Sequence, residues 1–255
     1  MSVNNVEALE APKKVRNIVR SGGGSFDRKE YKFMIPNEII DIVIPDLLRH
    51  LEYDEFSRHG FYPIWSVYFD TYDLQMYSSK MAGLMHRRKL RVRTYQSDPE
   101  DDEPVFLEVK EKNGSRIHKK RMPLTVQQLN DLITNKHLPD VDDPAYVDWR
   151  YALIKDGVRP HFLNYYKRQA FESESYPGLR ITIDRDISYS PVSSVDFNLP
   201  LKKVYWAHTH SVIEIKFDVY LPLFIVEMIR RYNFTAIPIS KYADSVISNF
   251  FLNTT

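Results

Sequence analysis

The chain contains no cysteine, which excludes disulfide bonds, thiolate metal sites and thiol redox chemistry. A reducing, cytoplasmic location is the matching expectation. Glycine is sparse, with 8 in 255 residues, and three of them form the run Gly22-Gly23-Gly24. That run lacks the Gly-Lys-Ser/Thr sequel of a phosphate-binding loop and reads as linker. No Gly-x-Ser-x-Gly elbow occurs, so serine-hydrolase chemistry has no support. No uncharged apolar run approaches the roughly 20 residues of a membrane-spanning helix, and no membrane segment is expected. The first 25 residues carry Lys13, Lys14, Arg16 and Arg20 with no apolar run behind them, unlike a secretory signal peptide. Excess charge of one sign is missing too, since 35 Lys and Arg face 34 Asp and Glu. Any anion site must therefore arise from local sorting of charge.

What is present is a composition of 43% hydrophobic and 27% charged residues, which excludes a mostly disordered chain. Residues 1–25, ending in Ser21-Gly22-Gly23-Gly24-Ser25, read as a flexible leader, and residues 26–255 as one domain without internal repeats. Aromatic and β-branched segments predict eight strands, near 28–35, 64–71, 87–96, 104–111, 116–123, 161–172, 179–187 and 212–219. Helical patterns fall near 37–51, 72–82, 125–135, 143–156, 220–233 and 239–253. Pro36 and Asn37 open the first helix, and Pro222 sits in the first turn of the fifth. Pro45, inside the first pattern, is expected to break or kink it. The acidic stretch Asp98 to Pro104 suits a solvated hairpin tip.

Alternation along a strand sorts side chains by parity. Arg28, Glu30 and Lys32 share one face of the first segment, opposite Tyr31, Phe33 and Ile35. Arg87, Lys89, Arg91 and Arg93 share a face of the third, opposite Leu90 and Val92. Glu108 and Lys110 pair in the fourth, and Lys119 and Arg121 in the fifth. Arg168 marks the sixth segment, and Arg180 and Asp184 the seventh. Glu214, Lys216 and Asp218 lie together in the eighth, against Ile213, Ile215 and Phe217. Glu-x-Lys thus recurs three times on the polar face of a strand. One wet face is ordinary for an antiparallel sheet, but eight strands tend to curl or close. The expected fold is therefore α+β, an eight-stranded antiparallel closed β-barrel with helices packed on the outside and charged faces lining the bore. About ten Lys and Arg cannot remain there unpaired, because uncompensated buried charge costs several kcal/mol per ion. The pattern implies an anionic ligand, and the carboxylates imply a hard cation.

The pieces Glu30-Tyr31-Lys32-Phe33, Ser66-Val67-Tyr68-Phe69-Asp70 and Leu90-Arg91-Val92-Arg93-Thr94-Tyr95 carry a family resemblance. Phe106-Leu107-Glu108-Val109-Lys110, Lys119-Lys120-Arg121 and Tyr166-Lys167-Arg168-Gln169-Ala170-Phe171 continue it. Leu179 to Asp184, Val212-Ile213-Glu214-Ile215-Lys216 and Ser240-Lys241-Tyr242 complete it. In this order the sequence resembles the catalytic domain of the vacuolar transporter chaperone polyphosphate polymerases, within the triphosphate tunnel metalloenzyme superfamily. The resemblance implies a triphosphate tunnel that takes the terminal phosphate of ATP, extends polyphosphate and releases ADP. It implies a divalent metal, Mn2+ or Mg2+. Carried over by motif, Lys32, Arg91, Arg93, Lys110, Lys119, Arg168, Arg180 and Lys241 would be catalytic phosphate binders. Arg121 belongs to the same basic set, Glu214 matches the metal position, and Lys216 neighbours it as a substrate contact. Parity adds Glu30 beside the substrate and Glu108 as a second metal carboxylate, and it favours Lys119 over Lys120. The implied partners are ATP and polyphosphate or triphosphate. The wider superfamily also contains triphosphatases, so a hydrolase is the alternative, and a non-catalytic polyphosphate-binding module is a further one.

Other candidates are weaker. His208-x-His210 offers two metal ligands in a loop where three or four are usual. His86 and His118 flank basic strands and read as rim residues. Tyr31, Tyr68 and Tyr95 read as packing residues. Duplex nucleic acid is not an expected partner, because no basic recognition helix is evident.

Overall fold

The computed structural model describes residues 29–100, 103–114, 116–139 and 141–251. The leader assigned to residues 1–25, and Arg28, lie outside the described residues. The chain forms β1 (Lys29–Pro36), α1 (Asn37–Leu48), β2 (Glu52–Tyr53), β3 (Tyr62–Asp70), α2 (Gln75–Met81), β4 (His86–Thr94), β5 (Val105–Asn113) and β6 (Arg116–Leu124). There follow α3 (Val126–Asn135), α4 (Pro144–Tyr151) with a π turn over Ala152–Asp156, β7 (Arg159–Glu172), β8 (Arg180–Pro191), β9 (Lys202–Lys203), β10 (His210–Phe217), α5 (Leu223–Arg231) and α6 (Lys241–Phe250). Each of the eight expected strands is present, joined by the two-residue β2 and β9. No helix among the described residues is long and apolar enough to cross a membrane.

Local chemistry sets the helix starts. Thr125 and Gln128 form a reciprocal capping box at α3, and Asp143 caps α4 with Pro144 following it. Ser240 caps α6. Pro222 occupies the cap position of α5, one residue before the first turn. Pro45 does not break α1, which runs through it to Leu48. Proline removes one intrahelical hydrogen bond, while Ile40, Val43 and Leu47 on the same helix are fully buried and hold it down.

The closed eight-stranded barrel expected from the sequence is not formed. The strands make one antiparallel ten-stranded sheet in the order β1-β10-β8-β7-β3-β4-β5-β6, with β2 added to β7 and β9 to β8. The sheet is open between β1 and β6. One edge of β1 is already taken on its free side: Phe33 bridges Ala236, and Ile237 N donates to Lys32 O at 2.9 Å. The other edge, β6, carries Lys119, Lys120 and Arg121 in succession and then Pro123, features that discourage edge pairing. The sheet still curls enough for side chains to span the gap, since Lys110 of β5 lies 3.6 Å from Glu30 of β1.

The convex face is covered in two halves. Ile40, Val43 and Leu47 of α1 and Ile225 and Met228 of α5 pack on Phe33, Ile181, Ile183, Ile213 and Ile215. Leu129 and Leu132 of α3 and Tyr146 and Trp149 of α4 pack on Leu90, Val92, Leu107 and Val109. Helix α6 departs from the expected outside position. Its Tyr242 and Val246 pack with Ile64, Tyr68, Phe162 and Tyr166 on the concave face, so it fills one end of the bowl. Two buried contacts fix it there. Tyr242 OH donates to Asp70 Oδ2 at 2.7 Å, and Asn164 Nδ2 donates to Ser245 Oγ at 2.6 Å. Asp70 also accepts from the backbone N–H groups of Met76 and Tyr77, so one carboxylate joins the starts of α2 and α6.

Candidate functional site

The rest of the concave face is a cavity of about 630 Å³. Its wall presents eleven Lys and Arg side chains, three glutamates and four tyrosines. Alternation is the direct cause, because β4 and β5 bury Leu90, Val92, Leu107 and Val109 under helices and so must turn Lys89, Arg91, Arg93, Glu108 and Lys110 inward. All thirteen site residues named from the sequence line this one cavity: Lys32, Arg91, Arg93, Lys110, Lys119, Arg168, Arg180, Lys241, Arg121, Lys216, Glu30, Glu214 and Glu108. Lys120 turns the other way, pairing with Asp148 of α4 at 2.5 Å.

The cations are organised around a few carboxylates. Glu108 is 2% exposed and stands among four of them. Arg91 Nη2 lies at 2.5 Å, Lys119 Nζ at 2.9 Å, Arg121 Nε at 3.6 Å and Arg93 Nη1 at 3.9 Å. Burial works against its charge, but Arg91, Arg93, Lys119 and Arg121 outweigh burial and hold the carboxyl well below the usual range. Glu30 and Glu214 form a second centre on adjacent strands. Lys32 Nζ lies 2.9 Å from Glu30 and 3.7 Å from Glu214, and Lys216 pairs with Glu214. Burial again opposes ionisation, and Lys216 and Lys32 overcome it, keeping Glu214 well below the ordinary value.

Asp184 is the third centre. It is fully buried, takes Arg168 in a two-point contact at 2.6 and 2.8 Å, and accepts from Lys241 Nζ at 2.6 Å. Burial pushes it up, yet Arg168 and Lys241 hold it at about 2. Arg180 is held at 2.7 Å by the buried Asp54. Burial and the neighbouring Arg91 and Arg93 depress the Lys119 ammonium to about 8 in spite of Glu108.

Several lining residues were not picked out from the sequence. Tyr68 OH accepts from Arg91 at 3.0 Å, Tyr166 OH from Arg93 at 2.9 Å, and Tyr95 OH from Arg121 at 3.2 Å. Tyr68 and Tyr95, read as packing residues, thus hold guanidinium groups in place. Tyr62, Ile64, Ile117, Ile239, Ser240 and Lys89 complete the lining. The signal for Tyr62 and Tyr68 was the even parity they share in β3. Lys89 shared the charged parity of β4 but could not be told apart from Arg87, which does not line the cavity. His86, His118, His208 and His210 do not line it either.

Among the described residues, no three His, Asp or Glu side chains converge as a metal cage. The donor chemistry nonetheless suits a hard divalent ion at Glu30 and Glu214. Mg2+-type sites commonly use one or two carboxylates and complete their shell with substrate phosphates and water. Glu108, the second metal carboxylate expected from the sequence, already has four cations around it.

The VTC domain family profile matches residues 27–250. The chain is 23% identical over 193 residues to vacuolar transporter chaperone complex subunit 4 of Schizosaccharomyces pombe, covering 64% of this chain and 26% of that protein. It therefore spans about a quarter of that relative's length. A crystal structure of a candidate adenylate cyclase from Bacillus halodurans shares the fold, with TM-score 0.52 and 15% identity over 89% of this chain and 100% of that one. A candidate adenylate cyclase from Vibrio parahaemolyticus gives TM-score 0.47 and 10% identity over 88% and 99%.

Proposed function

Because the chain belongs to the VTC domain family, we propose that it is a metal-dependent phosphotransferase, a polyphosphate polymerase that moves the ATP γ-phosphate onto a growing polyphosphate chain and releases ADP. The observation that carries this reading is the lining of the cavity, eleven cations against three glutamates. Such an imbalance is costly when empty and is relieved by a ligand with several negative charges. Phosphoryl transfer runs through a loose transition state with charge spread over the phosphate oxygens, so positioning and charge stabilisation supply the catalysis.

Arg91, Arg93, Arg121 and Arg168 would grip phosphate oxygens with two-point geometry, held ready by Glu108, Asp184 and the tyrosine hydroxyls. Lys32, Lys110, Lys119, Lys216 and Lys241 would act as point charges, with Arg180 at the rim beside Asp54. Glu30 and Glu214 would hold Mn2+ or Mg2+, which when bound neutralises charge on the phosphate oxygens. Glu108, assigned to the metal from the sequence, is here given the different task of fixing the guanidinium groups. The three cavity glutamates have lowered pKa values and are poor proton acceptors at neutral pH. That favours an acceptor already ionised, such as a phosphate chain end, over water, which needs activation.

The test is Glu214→Ala, assayed for turnover of ATP and for calorimetric binding of tripolyphosphate. Turnover should be lost while anion affinity is kept or increased, because Lys32 and Lys216 lose their counter-charge. Wild-type turnover in this variant would remove Glu214 from the metal site. Arg93→Ala and Lys110→Ala should weaken ATP and tripolyphosphate together, and unchanged affinity for both would contradict the cavity as the binding site.

A further inference from the structure

Ten of the eleven cavity cations have a carboxylate within ion-pair distance. Among the described residues, Lys89 of β4 is the exception. Its Nζ donates to Ser240 Oγ at 2.8 Å, which uses one of the three ammonium donors. The largest charge influences on it are cationic. Lys110 of β5 stands directly opposite in the strand register, Arg91 follows on the same face of β4, and Lys32 of β1 and Lys80 of α2 add their charge. Two acidic side chains approach this corner, Glu30 of β1, which is already paired with Lys32 and Lys110, and Asp244 of α6. Asp244 does not compensate Lys89. It is influenced more by Lys241 than by Lys89, it makes no ion pair with Lys89, and one of its oxygens is buried without a hydrogen-bond partner.

We propose that Lys89 is a further ligand-binding residue of this cavity, whose ammonium takes an oxygen of a bound phosphate group as the counter-charge that no protein carboxylate supplies. The inference rests on the triphosphate reading above and adds a residue to it. The other cations are shared between ligand and protein, so the ligand only supplements their compensation. At Lys89 the ligand is the compensation, which places a phosphate group in the corner between β4, β5 and the start of α6. Burial in the wall and the charges of Lys32, Lys110, Lys80 and Arg91 push this ammonium well below its usual value. An arriving phosphate opposes the electrostatic part of that push, so binding favours the protonated form of Lys89.

The test is calorimetric titration of the full chain with inorganic tripolyphosphate, without metal or nucleotide, in buffers of different ionisation enthalpy near pH 8. Lys89→Gln should bind on the order of tenfold more weakly, as expected for one charge-assisted hydrogen bond. Lys89→Arg, which keeps its charge at any accessible pH, should bind within a few-fold of wild type while taking up fewer protons. Melting curves establish that each variant is folded, and the arginine variant carries the test should the glutamine variant unfold. Equal affinity for wild type and Lys89→Gln, or equal proton uptake for wild type and Lys89→Arg, overturns the assignment. If wild type itself fails to bind tripolyphosphate, the triphosphate function falls, and this inference with it.

Discussion

Replacing Glu108 by glutamine removes the negative charge that four cavity cations share. Breaking a buried pair by deleting one partner costs roughly 3–5 kcal/mol, because the other charge is left uncompensated. Here the Arg91 side chain is 23% exposed and that of Lys119 48%, so water in the cavity offsets part of the loss. The lower end, about 3 kcal/mol, is the appropriate figure. For a domain of this size each kcal/mol moves Tm by about 2–4 °C, so the ligand-free variant should melt roughly 6–12 °C below wild type. Saturating tripolyphosphate should narrow that gap, since phosphate oxygens can take over the vacated place beside Arg91 and Lys119. The assay is a pair of calorimetric melts, with and without tripolyphosphate. A ligand-free variant as stable as wild type would refute the account of Glu108 as the internal counter-ion, and so would a gap that tripolyphosphate widens.

Asp184 predicts an acid limb. Its pKa is about 2 in the folded chain against about 3.9 unfolded, so its contribution is complete above pH ~4 and is lost as pH falls towards ~2. Urea unfolding should show wild type losing about 2 kcal/mol more than Asp184→Asn across that window, since the lowered cavity glutamates contribute to both. Lys119, depressed to about 8, should lose its proton as pH rises through that value, so tripolyphosphate affinity should fall there. Lys119→Arg should flatten that part of the profile, and an unchanged slope would exclude Lys119 as its source. Tyr242→Phe deletes the bond to Asp70 and should cost about 1–2 kcal/mol in thermal unfolding, as a lost buried hydrogen bond does. Because α6 also carries Ser240 and Lys241, the Tyr242→Phe variant should bind tripolyphosphate more weakly too.

The cavity lining was legible because a period of two leaves little choice. Once Leu90, Val92, Leu107 and Val109 are committed to the helices, Arg91, Arg93, Glu108 and Lys110 can only face inward. The same pattern says nothing about whether two sheet edges meet. That was settled by the short segment at Ala236 and Ile237, which pairs with β1 and has no strand signature of its own. The inward position of α6 was hidden for a related reason. Its apolar stripe of Tyr242 and Val246 would suit either face of the sheet, and the choice is made by Asp70 and Asn164, more than 70 residues away in the chain. Asp184 was read as one more polar-face residue. Its role as the partner of both Arg168 and Lys241 depends on a contact between β8 and the start of α6 that alternation does not encode.

The central claim is that the cavity transfers phosphate from ATP to a phosphate chain. Its most direct test is phosphorus NMR of the purified protein incubated with ATP, manganese and a short polyphosphate primer. Growth of the internal-phosphate signal together with ADP is the predicted result. Orthophosphate without chain growth would make the protein a triphosphatase and contradict the acceptor assignment, and an unchanged spectrum would contradict catalysis altogether.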